Sequence, residues 1–148
     1  MRKEIANPFM FKDCFFCGSE NPEGLKLHFY WDEESNKVYT ELVLSKRFAG
    51  QGNIIHGGFQ MGVLDEIMGW TAVYLTKQMV VTSDINIKFI KPLYVGEKIT
   101  AASNMISCDG PKVLVEAELQ NAKGDVCTAA TGTFHILSKQ RYESIIDG

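Results

Sequence analysis

Apolar positions along this 148-residue chain change their period twice. Leu25, Leu27, Phe29 and Trp31 alternate with Lys26, His28 and Tyr30, the two-residue period of a half-buried strand. After Glu34-Ser35-Asn36 the alternation resumes at Val38, Thr40, Leu42 and Leu44, so the two segments predict a hairpin. A glycine-bearing loop, Ser45 to Ile55, leads to His56-Gly57-Gly58. The period then becomes helical up to Lys77, with Asp65 and Glu66 the only charges on the way. Beyond Met79 the two-residue period returns. Ile85, Ile87 and Phe89 oppose Asp84, Asn86 and Lys88 until Pro92 ends the strand. Turns at Asp109-Gly110-Pro111 and Asn121 to Asp125 divide the rest into strands over Lys98–Ser107, Lys112–Gln120 and Val126–Leu137. Lys139 to Gly148 reads as a polar tail of one or two helical turns.

The predicted helix is apolar around most of its circumference, through Phe59, Met61, Val63, Leu64, Ile67, Met68, Trp70, Val73 and Leu75. Such a helix has to be enclosed. A lipid enclosure conflicts with an acid pair at its centre, so the protein itself must enclose it. On one face lie Gly58, Gly62, Asp65, Gly69 and Ala72. Glycine costs roughly 1 kcal/mol relative to alanine inside a helix, so this stripe serves something other than helix stability. It is either a close-packing surface or a groove for a ligand beside Asp65; the acid within it favours the ligand. Two strands, one helix and four strands define an α+β architecture: a curled antiparallel sheet of about six strands wrapped around one long central helix. A single sheet covers such a helix incompletely, which implies a homodimer.

Composition narrows the function classes. A net charge of −3 without a basic stripe argues against nucleic acid as a partner. The opening residues hold no apolar run of signal-peptide length, so one cytoplasmic domain over residues 1–148 is expected. Cys14-Phe15-Phe16-Cys17-Gly18 is half of a zinc-ribbon signature. Its other half is missing, since Cys108 and Cys127 stand far apart. Structural zinc takes four ligands, and only His28 or a second subunit offers itself, so a packed, reduced pair is expected, with no metal and no cofactor.

His56-Gly57-Gly58 followed by Asp65, with the strand Thr82-Ser83-Asp84-Ile85-Asn86-Ile87-Lys88-Phe89-Ile90-Lys91-Pro92 downstream, resembles the hotdog-fold thioesterases, in particular the PaaI-like branch. Cys14-x-x-Cys17-Gly18 with Asn21-Pro22-x-Gly24-Leu25 is similar to a subgroup of that family. The resemblance runs from about Cys14 to Leu137. It implies a hotdog fold and hydrolysis of an acyl-CoA thioester, with assembly as a dimer or a dimer of dimers; Phe59, Trp70 and Tyr74, expected near the pocket, are compatible with an aryl or medium-chain acyl group. It places the acid on Asp65, as general base or nucleophile, the oxyanion glycine on Gly57, the histidine on His56 and a water-orienting hydroxyl on Thr82. The Gly58 amide belongs to the same oxyanion region. Relatives often carry an asparagine before the HGG; here Gln51 and Asn53 are the nearby candidates.

Elementary chemistry agrees with these assignments. Thioester hydrolysis builds negative charge on the carbonyl oxygen, and amides at a helix N-terminus are donors for it. A carboxylate in an apolar enclosure becomes a stronger base. Glu66 points about 100° away from Asp65 around the helix and is expected to contact a loop or subunit. His28 and His135 are expected to be structural. Lys88 and Lys91, then Lys112, Lys139 and Arg141, are the exposed cations for CoA phosphates. Two alternatives have different chemistry: a non-catalytic acyl-CoA binding protein, which needs no Asp65, and a hotdog hydratase, whose Asp-x-Asn-Pro-x-His or His-x-Phe-Pro runs do not occur in this chain.

Overall fold

The computed structural model describes residues 1–9 and 11–148. Seven antiparallel strands form one sheet: β1 (Arg2–Glu4), β2 (Tyr30–Asp32), β3 (Lys37–Val43), β4 (Val80–Phe89), β5 (Lys98–Asp109), β6 (Lys112–Gln120) and β7 (Val126–Ile136). Their spatial order is β1-β2-β3-β5-β6-β7-β4. The helix α1 (Gly57–Thr76) joins β3 to β4, so the chain crosses the sheet between them, and α1 packs against β3 through β7. A second helix, α2 (Lys139–Ile146), buries none of its residues fully and is exposed apart from the half-buried Tyr142.

Alternation explains which sheet face meets the helix. In β6, Val113, Val115, Ala117 and Leu119 are buried, whereas Lys112 and Glu116 are exposed. They meet Leu64, Ile67 and Met68 of α1, all fully buried, and Phe134 of β7 completes the layer. No helix among the described residues is long and apolar enough to cross a membrane.

Two features differ from the sequence expectation. The strand predicted over 25–31 is only Tyr30–Asp32, because Leu25 and Leu27 donate their amides to Phe15 and Phe16 carbonyls instead of to a strand. The seventh strand, Arg2–Glu4, has no apolar alternation and forms by pairing with β2.

The cover of the helix also differs. Part of the face left free by the sheet is occupied by the chain's own N-terminal segment. Phe9 packs edge-on against Trp70, Phe15 lies beside Phe59, and the Phe16 ring sits on Gly62. What remains open is the Met61–Asp65 side, next to β4. That strand is the outer edge of the sheet, and Phe89 and Ile90 at its end are 55% and 56% exposed.

Candidate active site

The start of α1 is built by a loop clamped from both sides. After a short 3-10 turn (Lys46–Phe48), Gly50 N–H bonds Ile54 O, Ile55 N–H bonds Leu93 O, and His56 N–H bonds Phe48 O, at 2.8–2.9 Å. His56 is the N-cap: its Nδ1 accepts the Gly58 N–H at 2.9 Å. A neutral His56 ring therefore carries its proton on Nε2. Phe59 and Gln60 N–H both turn to the His56 carbonyl. Of the first four helical amides, only Gly57 N–H meets no acceptor among the described residues. It borders a groove of about 590 Å³ lined by Ala49, Gly50, Gln51, Ile54, Ile55 and His56. A Cβ on Gly57 would lie 3.2 Å from the Phe89 ring, so the absence of a side chain there lets Phe89 lie close to the helix start.

Asp65 lies two turns further along. Its Oδ1 accepts a 2.8 Å hydrogen bond from Thr82 Oγ1 of β4. Burial pushes the Asp65 carboxyl above the ordinary carboxylate value, and the Thr82 hydroxyl pulls it part of the way back. At Thr82–Asp84 the β4–β7 register slips, leaving Ser83 as a bulge that bonds Thr133 O at 3.0 Å. Bulges re-aim neighbouring side chains, and here the neighbour is the threonine that reaches the helix.

The structure thus joins Asp65 to Thr82 and gathers His56, Gly57, Gly58 and Gln51 at the helix start, but it holds the two groups apart. Eight residues of α-helix separate Gly57 from Asp65 by roughly 12 Å. The Gly58 amide is already engaged by His56, so Gly57 alone offers a donor. Asn53 is turned away: its Oδ1 accepts from Lys46 Nζ at 2.7 Å. Lys88 lies on the outer sheet face beside Lys37, Asn104 and Glu116, and Lys91 is bridged to Asp125 at 3.5 Å. Trp70 and Tyr74 pack against Phe29 and Trp31, respectively, rather than beside Asp65. His28 lies near Glu4 at 3.3 Å, and His135 is exposed in β7.

One polar residue, Gln60, gains a role that the sequence pattern did not reveal, and Glu66 makes the loop contact expected of it. Gln60 is buried, donates to Ile55 O at 2.9 Å and accepts from Thr128 Oγ1 of β7, pinning the first turn of α1 to the sheet. Its chain position alone resembles any polar residue of a first turn. Glu66, expected at a loop or subunit contact, faces the N-terminal loop. Trp70 Nε1 donates to it at 3.1 Å, and Cys14 Sγ stands 3.8 Å from the same oxygen. Burial raises the Glu66 carboxyl, against the hydrogen bonds of Cys17 and Trp70; burial and then Glu66 itself push the Cys17 thiol well up.

A buried helix opening on His-Gly-Gly, wrapped by an antiparallel sheet and carrying one acid beside the edge strand, defines a hotdog thioesterase architecture. Residues 52–128, just over half of the chain, match the thioesterase superfamily, and the chain belongs to it.

Among curated proteins, verlamelin biosynthesis protein B of a Lecanicillium species is 25% identical over 122 residues, covering 63% of this chain and 53% of that protein. The chain therefore spans about half the length of that relative. A solved thioesterase superfamily protein shares the fold with a TM-score of 0.77 at 22% identity, over 84% of this chain and 60% of the other. The Escherichia coli PaaI protein of the phenylacetic acid degradation operon gives 0.63 at 15% identity, over 70% and 74%. A hypothetical thioesterase of Streptococcus pneumoniae, solved with coenzyme A, gives 0.65 at 17% identity, over 70% and 80%.

Proposed function

We propose that this protein hydrolyses acyl-CoA thioesters at sites shared between two copies of the chain. The observation that carries the reading is the pairing of Asp65 with Thr82 on the open side of α1, beside an edge strand, while the one free helix-start amide, Gly57, lies two turns away. A carbonyl oxygen requires its donor at about 2.7–3.1 Å, and a base must reach its proton at about 2.6–3.2 Å or through one water. Because water and oxygen flank the same carbon, one chain's Gly57 and Asp65 are too far apart to serve one thioester. A two-fold axis beside β4 sets Gly57 of one copy opposite Asp65 of the partner subunit. The unpaired β4 edge, with Phe89 and Ile90 exposed, favours such pairing.

In this reading Gly57 N–H, reinforced by the positive end of the helix dipole, polarises the thioester carbonyl. The Asp65 carboxylate takes a proton from water, and the hydroxide attacks the carbonyl carbon. Collapse of the tetrahedral oxyanion breaks the C–S bond; the proton passes to the departing sulfur, giving a carboxylic acid and the free CoA thiol. Thr82, by occupying Oδ1, orients the carboxylate so that Oδ2 faces the water. His56 acts as a positioning residue, and Gln51 lines the approach. Phe89, close to Gly57, suits an aryl or medium-chain acyl group. Lys88 and Lys91 are assigned to the CoA phosphates, Lys91 exchanging Asp125 for the ligand. The solved relative with coenzyme A supports the choice of thiol carrier.

A panel of acyl-CoA esters with free-thiol detection, run on wild type and Asp65→Asn in parallel, tests the proposal. Release of thiol from at least one aryl or medium-chain ester by wild type, and loss of most of it in Asp65→Asn, is expected. A variant that turns over its best ester at the wild-type rate rules out the assignment of Asp65.

A further inference from the structure

We infer that Cys14, Cys17 and Glu66 form a binding site for a zinc-like divalent cation that ties the N-terminal segment to α1. The cysteines alone are half a ligand set; the fold supplies a third ligand from α1, some fifty residues along the chain. Cys14 Sγ lies 3.8 Å and 4.0 Å from the two Glu66 oxygens, and the ligand atoms of all three residues lie within 4.8 Å of one another. Tetrahedral zinc, with bonds of about 2.3 Å to sulfur and 2.0–2.2 Å to oxygen, sets sulfur–sulfur and sulfur–oxygen separations of roughly 3.6–3.8 Å. Side-chain rotation therefore suffices to close the site.

Three further observations belong to the same picture. No lysine, arginine or histidine is paired with the Glu66 carboxylate among the described residues, although it lies half-buried beside the Cys14 and Cys17 thiols. The Trp70 N–H on Glu66 is the kind of outer contact that holds a metal-ligating carboxylate in one orientation. The loop itself is closed tightly: Gly18 N–H bonds Cys14 O at 2.9 Å, and a Cβ on Gly18 would sit 2.5 Å from both Cys14 N and Lys12 O. Only glycine allows Cys14 and Cys17 to curl onto one side. Cys17 is buried while Cys14 is partly exposed, which gives an ion an entry path.

Sulfur donors with one carboxylate favour zinc over magnesium or calcium, which take oxygen ligands. On binding, both thiols lose their protons to solvent and become thiolates, and water completes the tetrahedron. Glu66 points about 100° round α1 from Asp65, which carries the Thr82 contact; the metal's role is structural, holding Phe9, Phe15 and Phe16 against the helix.

Full-length protein, reduced and stripped by chelator, is titrated with Co²⁺ and then Zn²⁺. The expected result is one Co²⁺ per chain, with thiolate-to-cobalt charge-transfer absorption and tetrahedral visible bands that Zn²⁺ abolishes. Zinc also raises the Tm. Cys14→Ser loses the charge-transfer spectrum, as does Glu66→Gln with an unchanged far-ultraviolet circular dichroism spectrum. Trp70→Phe weakens affinity by about 10–100-fold, and Asp65→Asn binds as wild type does. Failure of wild type to take up stoichiometric cobalt overturns the proposal. So does uptake that is indifferent to both Cys14→Ser and Glu66→Gln.

Discussion

Thr82 Oγ1 and Asp65 Oδ1 stand 2.8 Å apart and join the edge strand β4 to the middle of the buried helix. Because burial raises this carboxyl above 3.8 and the hydroxyl opposes the rise, the acid limb of kcat/KM should lie above 3.8. Thr82→Val removes the opposing hydrogen bond, so the limb should move to higher pH while the plateau rate falls. A limb that stays put, or moves down, contradicts a role for Asp65 as the carboxylate base.

The same shift has a stability counterpart. A folded pKa raised above the unfolded one gives stability that is complete below the unfolded pKa and is lost as pH rises through the folded value. Asp65→Asn, which carries no charge to bury, should therefore raise the Tm at neutral pH while removing turnover. A variant less stable than wild type at pH 7 would speak for an unseen cation beside Asp65.

Mixing inactive Gly57→Val protomers with inactive Asp65→Asn protomers, under conditions that exchange subunits, probes the shared site. Each mixed dimer carries one intact Gly57–Asp65 pair, so activity should return to a substantial fraction of wild type. Verified mixed dimers as inactive as their parents would falsify the shared-site arrangement.

The helix glycines separate by what sits on them. A Cβ at Gly62 runs into the Phe16 ring, so Gly62→Ala should destabilise by about 1–3 kcal/mol. At Gly69 the nearest atom is Phe134 Cε1 at 3.9 Å, and Gly69→Ala should stabilise by about 0.5–1 kcal/mol. Urea unfolding measures both. Loss of turnover in a stabilised Gly69→Ala would mark that position as the place where substrate or partner comes close.

Gln60→Leu should cost about 1–3 kcal/mol, because Ile55 O and Thr128 Oγ1 lose their partner inside the core. It should also lower kcat, since the first turn of α1, and with it Gly57 N–H, loses its anchor to β7. Unaltered kcat in a destabilised variant limits Gln60 to a purely structural role.

Periodicity by itself determined the helix α1 (Gly57–Thr76), the meander of β5, β6 and β7 and the layering of sheet against helix. These elements repeat an apolar face every two or about 3.6 residues, and burial of that face selects one conformation. The position of Asp65 on a glycine-rich stripe was legible for the same reason. Tertiary structure decided what the local pattern does not encode. Arg2–Glu4 becomes a strand only because Tyr30–Asp32 is there to pair with it. Gly62 is small because Phe16, 46 positions earlier in the chain, occupies its face, and the open side of the helix shrinks to the Met61–Asp65 edge. His56 takes the Gly58 amide and leaves Gly57 as the free donor, a choice made by cap geometry rather than by residue type. Glu66 meets Cys14 and Cys17 across some fifty residues because the N-terminal segment, held by aromatic contacts, folds back over α1. Such meetings depend on long-range packing, and a one-dimensional pattern of polar and apolar residues holds no record of them.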